Sequence, residues 1–241
     1  MIRKNVAYSG KDDKFRHRGK ELFRIEALSD AVFAFSVSLL VASLEVPQTF
    51  AELKIITKGA IPFFLTVTLV FLFWYQQYIF FRRYGLNDLK TILLNLAYLA
   101  VVIFYVYPLK FLFSLLISAW SDIDLFAEAN EKGLVVLATK EFPQLIILFS
   151  IGYFLIWFII YLLHQHILRL SGHFAFTRFE KLLTEKEVRG ALWNSLVGLL
   201  AVVFAFFNWE TLAGICYLFI PLILIINQYI FKAKVKEIVI N

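Results

Sequence analysis

Residues 24–47 read RIEALSDAVFAFSVSLLVASLEVP, and the interpretation of this stretch decides the fold. From Ala31 to Leu44 it is apolar and long enough to be most of a membrane span, for which about 20 residues are needed. Yet it opens with Arg24, Glu26, Ser29 and Asp30 and carries Ser36, Ser38 and Ser43 inside. A carboxylate near the bilayer centre costs about 2.5–3.5 kcal/mol on insertion scales, which a helix that only anchors has no reason to bear. The alternative is that Ser29 and Asp30 lie in the head-group layer as a helix N-cap, where Ser and Asp are preferred. The segment alone fits both.

Outward from this stretch, the 241-residue chain is 61% hydrophobic and 17% charged, with a mean hydropathy of +0.75. Soluble domains are about 45–50% apolar and about 25% charged, so this is a polytopic membrane protein. The one cysteine, Cys216, lies in an apolar run, which leaves no disulfide framework and no cysteine metal site. The net charge of +6 is read as basic loops on one side of a membrane rather than as a nucleic-acid surface. Residues 2–24 are too long and too charged for a signal peptide and read as a solvated cytosolic arm.

An all-α fold of six transmembrane helices follows, over about Leu28–Val46, Gly59–Phe81, Thr91–Ser118, Phe142–Leu163, Ala191–Phe207 and Leu212–Phe231. Pro108 and Pro221 fall inside the third and sixth spans, where each is expected to kink its helix. Lys and Arg concentrate before the first span (Arg3, Lys4, Lys11, Lys14, Arg16, Arg18, Lys20, Arg24), after the second (Arg82, Arg83, Lys90), after the fourth (Arg169 to Arg189) and after the sixth (Lys232, Lys234, Lys236). The longest remaining loop is acidic, with Asp122, Asp124, Glu128, Glu131 and Glu141. All basic loops fall on one side, so both termini are expected in the cytosol. The chain divides into a basic arm (1–27), a six-helix domain (28–231) and a short basic tail (232–241).

Reactive groups are scarce. His164 and His166, two apart, point to different helix faces and make a weak metal pair. There is no phosphate-cradling glycine loop, no arginine ladder of a voltage sensor and no TVGYG filter, so neither an enzyme nor a cofactor or metal site is expected. The first helix offers two stripes at 100° per residue: Ser29, Ser36 and Ser43 on one, Ala31, Phe35, Ser38 and Ala42 on another, with Leu39 alongside. Either is able to line a water path, and serines and small residues also serve as helix contacts in lipid; periodicity leaves the choice open. Trp74, Gln76 and Gln77, Asn95, and Arg24, Ser29 and Asp30 fall at one depth. They form either a buried polar network or merely the interfacial belt in which Trp is enriched.

Arg24-x-x-x-Leu28-Ser29-Asp30 followed by AVFAFSVSLL resembles the first helix of bacterial relatives of the lysosomal potassium channel that lacks a canonical filter, whose signature is R-x-x-x-F-S-D. Trp74, Asn95 and Pro108 extend the resemblance; the second half agrees only in hydropathy. The resemblance implies a homotetramer in a bacterial inner membrane, its four first helices lining a pore for potassium and other monovalent cations, with lipid and itself as partners and no nucleic acid. It implies that Phe35, Leu39 and Ala42 form the constriction, Ser38 the hydroxyl layer that sets ion selectivity, and Arg24, Ser29, Asp30, Trp74, Gln77 and Asn95 the residues bracing the pore helix. Leu28 in place of Phe, Ser38 in place of Thr, Ala42 in place of a bulky aliphatic residue, and Gln77-Tyr78 in place of a His-rich step depart from the pattern. Two other readings stand beside the channel: an ion-coupled secondary transporter working through Asp30, which internal repeats and saturable flux would favour, and a non-conducting membrane scaffold, which a closed assembly without a polar axis would favour.

Overall fold

A computed structural model describes residues 7–8, 15–19, 21–42, 46–121, 125–126, 129–130 and 132–240. Apolar runs in lipid must satisfy their own backbone hydrogen bonds, so they become helices. The helices are α1 (Arg24–Ala42), α2 (Phe50–Lys58), α3 (Ala60–Tyr84), α4 (Leu89–Trp120), α5 (Phe142–Arg169), α6 (Ser171–Phe174), α7 (Arg178–Phe206), α8 (Glu210–Leu218) and α9 (Ile220–Ile240). A two-residue antiparallel pair, β1 (Ala7–Tyr8) with β2 (Arg16–His17), precedes them. Among the described residues, α1, α3, α4, α5, α7 and the α8–α9 stretch are the six segments long and apolar enough to cross a membrane.

The differences from the sequence reading have local causes. The fifth span was expected from Ala191, but α7 begins at Arg178. Thr177 and Glu180 form a reciprocal capping box: the Glu180 N–H donates to Thr177 Oγ1 at 3.2 Å, and the Thr177 N–H donates to Glu180 Oε2 at 2.8 Å. That start is strong enough to carry the mixed-charge connector into the helix. The sixth span is divided at Phe219, with Pro221 in the first turn of α9, where its missing N–H has no helical partner to lose. Pro108, in contrast, sits inside α4, which continues through it. The nine-residue helix α2 was not anticipated. Ser43, the acidic Asp122, Asp124, Glu128 and Glu131, and the basic Arg3, Lys4, Lys11, Lys14 and Lys20 lie outside the described residues.

Helix α7 buries a stripe of mostly small residues, Gly190, Ala191, Asn194, Ser195, Gly198, Ala201 and Ala205, against α5, α8 and α9. A Cβ at Gly198 would approach the Phe154 backbone nitrogen to 2.9 Å, so the glycine is what allows this closeness. A second apolar core joins α1, α3, α4 and α5 through Phe33, Val70, Tyr98, Val102, Tyr105 and Ile156.

The arm is docked rather than solvated at residues 15–19: Phe15 and Arg18 are only 1% and 3% exposed. The reason lies at the C-terminus of α3, whose last carbonyls have no partner within the helix. The Arg18 N–H donates to the Arg83 carbonyl at 3.2 Å and the Gly19 N–H to the Arg82 carbonyl at 3.0 Å. Gly85, at φ 55°, ends α3 in the left-handed conformation and lets the arm cross it; a Cβ there would come within 2.7 Å of the Arg18 carbonyl oxygen. Arg16 and Arg18 then reach Glu180, which is fully buried, at 2.8 and 3.2 Å. These contacts gather the arm, the end of α3 and the start of α7 at one end of the bundle, hereafter the basic end.

Candidate functional site

Helix α1 leads directly from the docked arm, and its two faces meet different surroundings. Ile25, Ser29, Phe33, Ser36 and Leu40 are buried against α3 and α4. On the other side, Ala31, Phe35, Ser38 and Ala42 are exposed, Phe35 by 57%, and Leu39 is half-buried between the two. The two stripes of the sequence thus occupy different surfaces: Ser29 and Ser36 face the protomer's own helices, and Phe35, Ser38 and Ala42 face away from them.

Every described hydroxyl on α1 bonds its own backbone. Ser29 donates to the Ile25 carbonyl at 2.7 Å, Ser36 to Val32 at 2.8 Å and Ser38 to Ala34 at 3.0 Å. A hydroxyl has one hydrogen and two acceptor lone pairs. With its hydrogen turned back onto the helix, the Ser38 oxygen offers only lone pairs to whatever lies across the exposed face.

The residues grouped by depth are brought together in two separate sets rather than one network. Asn95 Nδ2 donates to Ser29 Oγ at 2.9 Å, and Gln77 Nε2 donates to Asn95 Oδ1 at 2.8 Å; all three side chains are buried. Independently, Trp74 Nε1 donates to Asp30 Oδ1 at 2.8 Å on an exposed edge. The cause of the split is geometric: consecutive positions on a helix point about 100° apart, so Ser29 meets α4 while Asp30 meets α3. Arg24 is exposed and belongs to neither set. Gln76 lies on another side of α3 and does not join. Tyr78 stacks on Trp74, with ring centroids 5.5 Å apart.

His164 and His166 do point to different faces. His164 is buried and its Nδ1 lies 2.9 Å from the Ile160 carbonyl, with the Phe80 and Tyr84 rings edge-on around it. His166 Nε2 lies 3.0 Å from Asp88 Oδ2, tying the α3–α4 turn to the end of α5. Asp88 also caps α4 through the Lys90 N–H and accepts from the Thr91 hydroxyl. Burial pushes the Asp88 carboxyl up, but the bonds from Thr91 and His166 outweigh burial and hold it below the ordinary carboxylate range.

The sequence reading passed over the clamp of Arg16 and Arg18 on Glu180. Glu180 Oε1 accepts from the Arg16 backbone and Nε at 3.0 Å, and the Arg18 guanidinium lies 4.9 Å over the Phe176 ring. One signal was available, Thr177-x-x-Glu180, the pattern of a helix start. The partnership of Glu180 with residues more than 160 positions away had none.

Comparison with known proteins adds to this geometry. Residues 24–105 match the family model described as endosomal/lysosomal potassium channel TMEM175. A protein of Marivirga tractuosa named a potassium channel is 32% identical over 226 residues, covering 91% of this chain and 92% of the relative. A crystal structure of a variant of the potassium channel MtTMEM175, bound to a nanobody–MBP fusion, superposes with a TM-score of 0.77 at 30% identity, over 93% of this chain and all of that one. A TMEM175 homologue from Chamaesiphon minutus, described as a lysosomal potassium-selective channel homologue, shares the fold at a TM-score of 0.53 and 17% identity, over 85% of this chain and 96% of that one.

Proposed function

This chain belongs to the TMEM175 potassium-channel family, and from that premise we propose that four copies form a potassium-permeable cation channel in a bacterial inner membrane, with both termini in the cytosol. The orientation is supported by the basic loops, all of which fall on one side. The observation that carries the pore reading is the exposed face of α1: a large aromatic, Phe35, stands 57% exposed in line with Ser38 and Ala42, while the opposite face is buried in the protomer. Four such faces around one axis make a narrow, apolar passage with a single hydroxyl layer.

In this reading Phe35 and Leu39 close the path by excluding water, as hydrophobic constrictions do. Ser38, with its hydrogen held by Ala34, presents oxygen lone pairs to a partly dehydrated cation. Ala42 leaves the passage wider on the far side. Trp74 bonded to Asp30, and Asn95 bonded to Ser29, fix the rotation of α1 that aims these side chains. The small number of oxygen ligands predicts modest selectivity between potassium and sodium.

Purified protein in liposomes tests this. Passive potassium flux down its gradient is expected, non-saturating over the millimolar range, and Ser38→Ala is expected to lower the preference for potassium over sodium. No flux under any gradient would leave the scaffold reading; saturable flux coupled to protons would leave the transporter reading.

A further inference from the structure

Two adjoining spaces flank the Trp74–Asp30 bond between α1 and α3, and both residues line each of them. The first, about 330 Å³, lies toward the basic end and is polar, with Glu26, Gln77 and Arg82 in its wall. The second, about 680 Å³, is an apolar groove further along both helices, between Phe33 and Ala34 of α1 and Phe71, Leu72 and Tyr75 of α3. The Thr68 hydroxyl in the groove is already turned onto the Phe64 carbonyl at 2.8 Å. The polar space, in contrast, holds unmet groups of both signs. Asp30 gives one oxygen to Trp74 Nε1 at 2.8 Å, and its other oxygen has no partner among the described residues. Gln77 is 5% exposed and spends its Nε2 on Asn95 Oδ1, which leaves its Oε1 as a bare acceptor among the described residues. The Arg82 side chain is exposed and forms no ion pair among the described residues.

At the edge of a membrane span, a carboxylate oxygen and a buried amide oxygen without donors are costly. Both call for a cation that carries several N–H groups, and Arg82 calls for an anion next to it. A bare metal ion answers only the first need and leaves the groove empty. We infer that the two spaces together hold one phospholipid whose headgroup carries both a phosphate and a primary ammonium. The ammonium sits on Asp30 and Gln77, the phosphate on Arg82, and one acyl chain lies in the groove. A primary ammonium has three donors, whereas a quaternary one has none, so the bare oxygens of Asp30 and Gln77 select the primary form. The chain covers Phe71, Leu72 and Tyr75, each about half exposed. Trp74 and Tyr78, stacked at 5.5 Å, stand where head and chain meet, the depth at which Trp is enriched. Phe35, Ser38 and Ala42 line neither space, so the site rests on the placement of the bundle in a membrane and not on the ion path. It bears on α1 all the same, because the ammonium shares the carboxylate that Trp74 holds and adds a second tie there.

The test uses the full chain purified in detergent, with lipid retention read by native mass spectrometry and the unfolding temperature read alongside. The probes are phosphatidylethanolamine, phosphatidylcholine and phosphatidylglycerol with the same chains, and soluble phosphoethanolamine. Wild-type protein is expected to retain phosphatidylethanolamine about tenfold better than either other lipid and to unfold at higher temperature with it. Phosphoethanolamine, which has no chain for the groove, is expected to shift the unfolding temperature little. Asp30→Asn keeps an oxygen for Trp74 but loses the charge, and is expected to erase the preference for phosphatidylethanolamine over phosphatidylcholine. Arg82→Gln is expected to weaken retention of both, and Lys58→Gln, at the other end of the bundle, to leave retention unchanged. Retention of either other lipid as strong as that of phosphatidylethanolamine, or unchanged retention in both Asp30→Asn and Arg82→Gln, would overturn the proposal. So would the full thermal shift with phosphoethanolamine alone, which would assign the site to a soluble ligand. Exclusion of all three lipids from an assembled oligomer would give the groove to a second copy and overturn it as well. Arg82→Gln keeps the test decisive if Asp30→Asn does not fold, because the Arg82 side chain is exposed and forms no ion pair among the described residues.

Discussion

The first two turns of α1 and its last three are held in different ways. The first turns are tied by directional bonds to two other helices, Ser29 to Asn95 on α4 and Asp30 to Trp74 on α3, and they follow directly from the arm clamped by Glu180. Beyond Asp30, the described side chains of α1 make no hydrogen bond to another helix; Phe33 against Tyr98, Ser36 and Leu40 pack on one side, and Phe35, Ser38 and Ala42 are bare on the other. Hydrogen bonds fix rotation and register, whereas apolar contact is non-directional and tolerates sliding. On the proposed channel reading, the basic end of α1 is its fulcrum and the apolar far half carries the gate.

Four outcomes break or sharpen that contrast. The largest concerns the clamp. Glu180→Ala leaves the buried Arg18 guanidinium without its carboxylate, a loss of about 3–5 kcal/mol for one partner of a buried pair. Unfolding in denaturant should register most of it, and a cost comparable to an exposed substitution would show that the basic end is not the anchored one. Next is Asn95→Ala, which strips Gln77 and Ser29 of their shared partner at a cost of about 1–3 kcal/mol. Its signature is a drop in stability together with altered flux, because the rotation of α1 loosens.

Phe35→Ala should separate stability from function. As an exposed side chain it should change stability by no more than about 0.5 kcal/mol, while potassium flux in liposomes rises about tenfold, the factor given by a barrier lowered by about 1.4 kcal/mol. A large loss of stability with unchanged flux would place Phe35 in packing instead. The smallest effect is on pH. The folded Asp88 carboxyl lies below its ordinary value, so folding favours the charged form. Its contribution is complete above the unfolded value, about 3.9, and is lost as pH falls through the lower folded value. The stability gap between wild type and Asp88→Asn should therefore be full at pH 5 and shrink as pH falls below about pH 4.

Hydropathy made the six spans legible, because lipid leaves the backbone few choices and about 20 apolar residues are hard to mistake. The pairing of polar residues at one depth was legible in part: Ser29, Gln77 and Asn95 meet, as do Asp30 and Trp74, but their division into two sets follows from helix rotation, which depth does not encode. Periodicity offered both stripes of α1 equally, and it took the positions of α3 and α4 to decide which one is buried. The clamp was illegible for another reason. Arg16 and Arg18 fit the charge bias of a cytosolic arm so well that nothing in the sequence singled them out for Glu180, and a contact across more than 160 residues leaves no local trace. The break at Phe219 and the helix α2 depended on local chemistry that a hydropathy reading averages away.

The central claim is that the bare face of α1 surrounds an ion path. The lone Cys216 makes a direct test simple: in a Cys216→Ser background, Ser38→Cys and Ser36→Cys are each placed in liposomes and treated with a membrane-impermeant thiol reagent while potassium flux is recorded. The account predicts block of Ser38→Cys and none of Ser36→Cys, whose side chain is buried against the protomer's own helices. Unimpeded flux through fully labelled Ser38→Cys protein would contradict it.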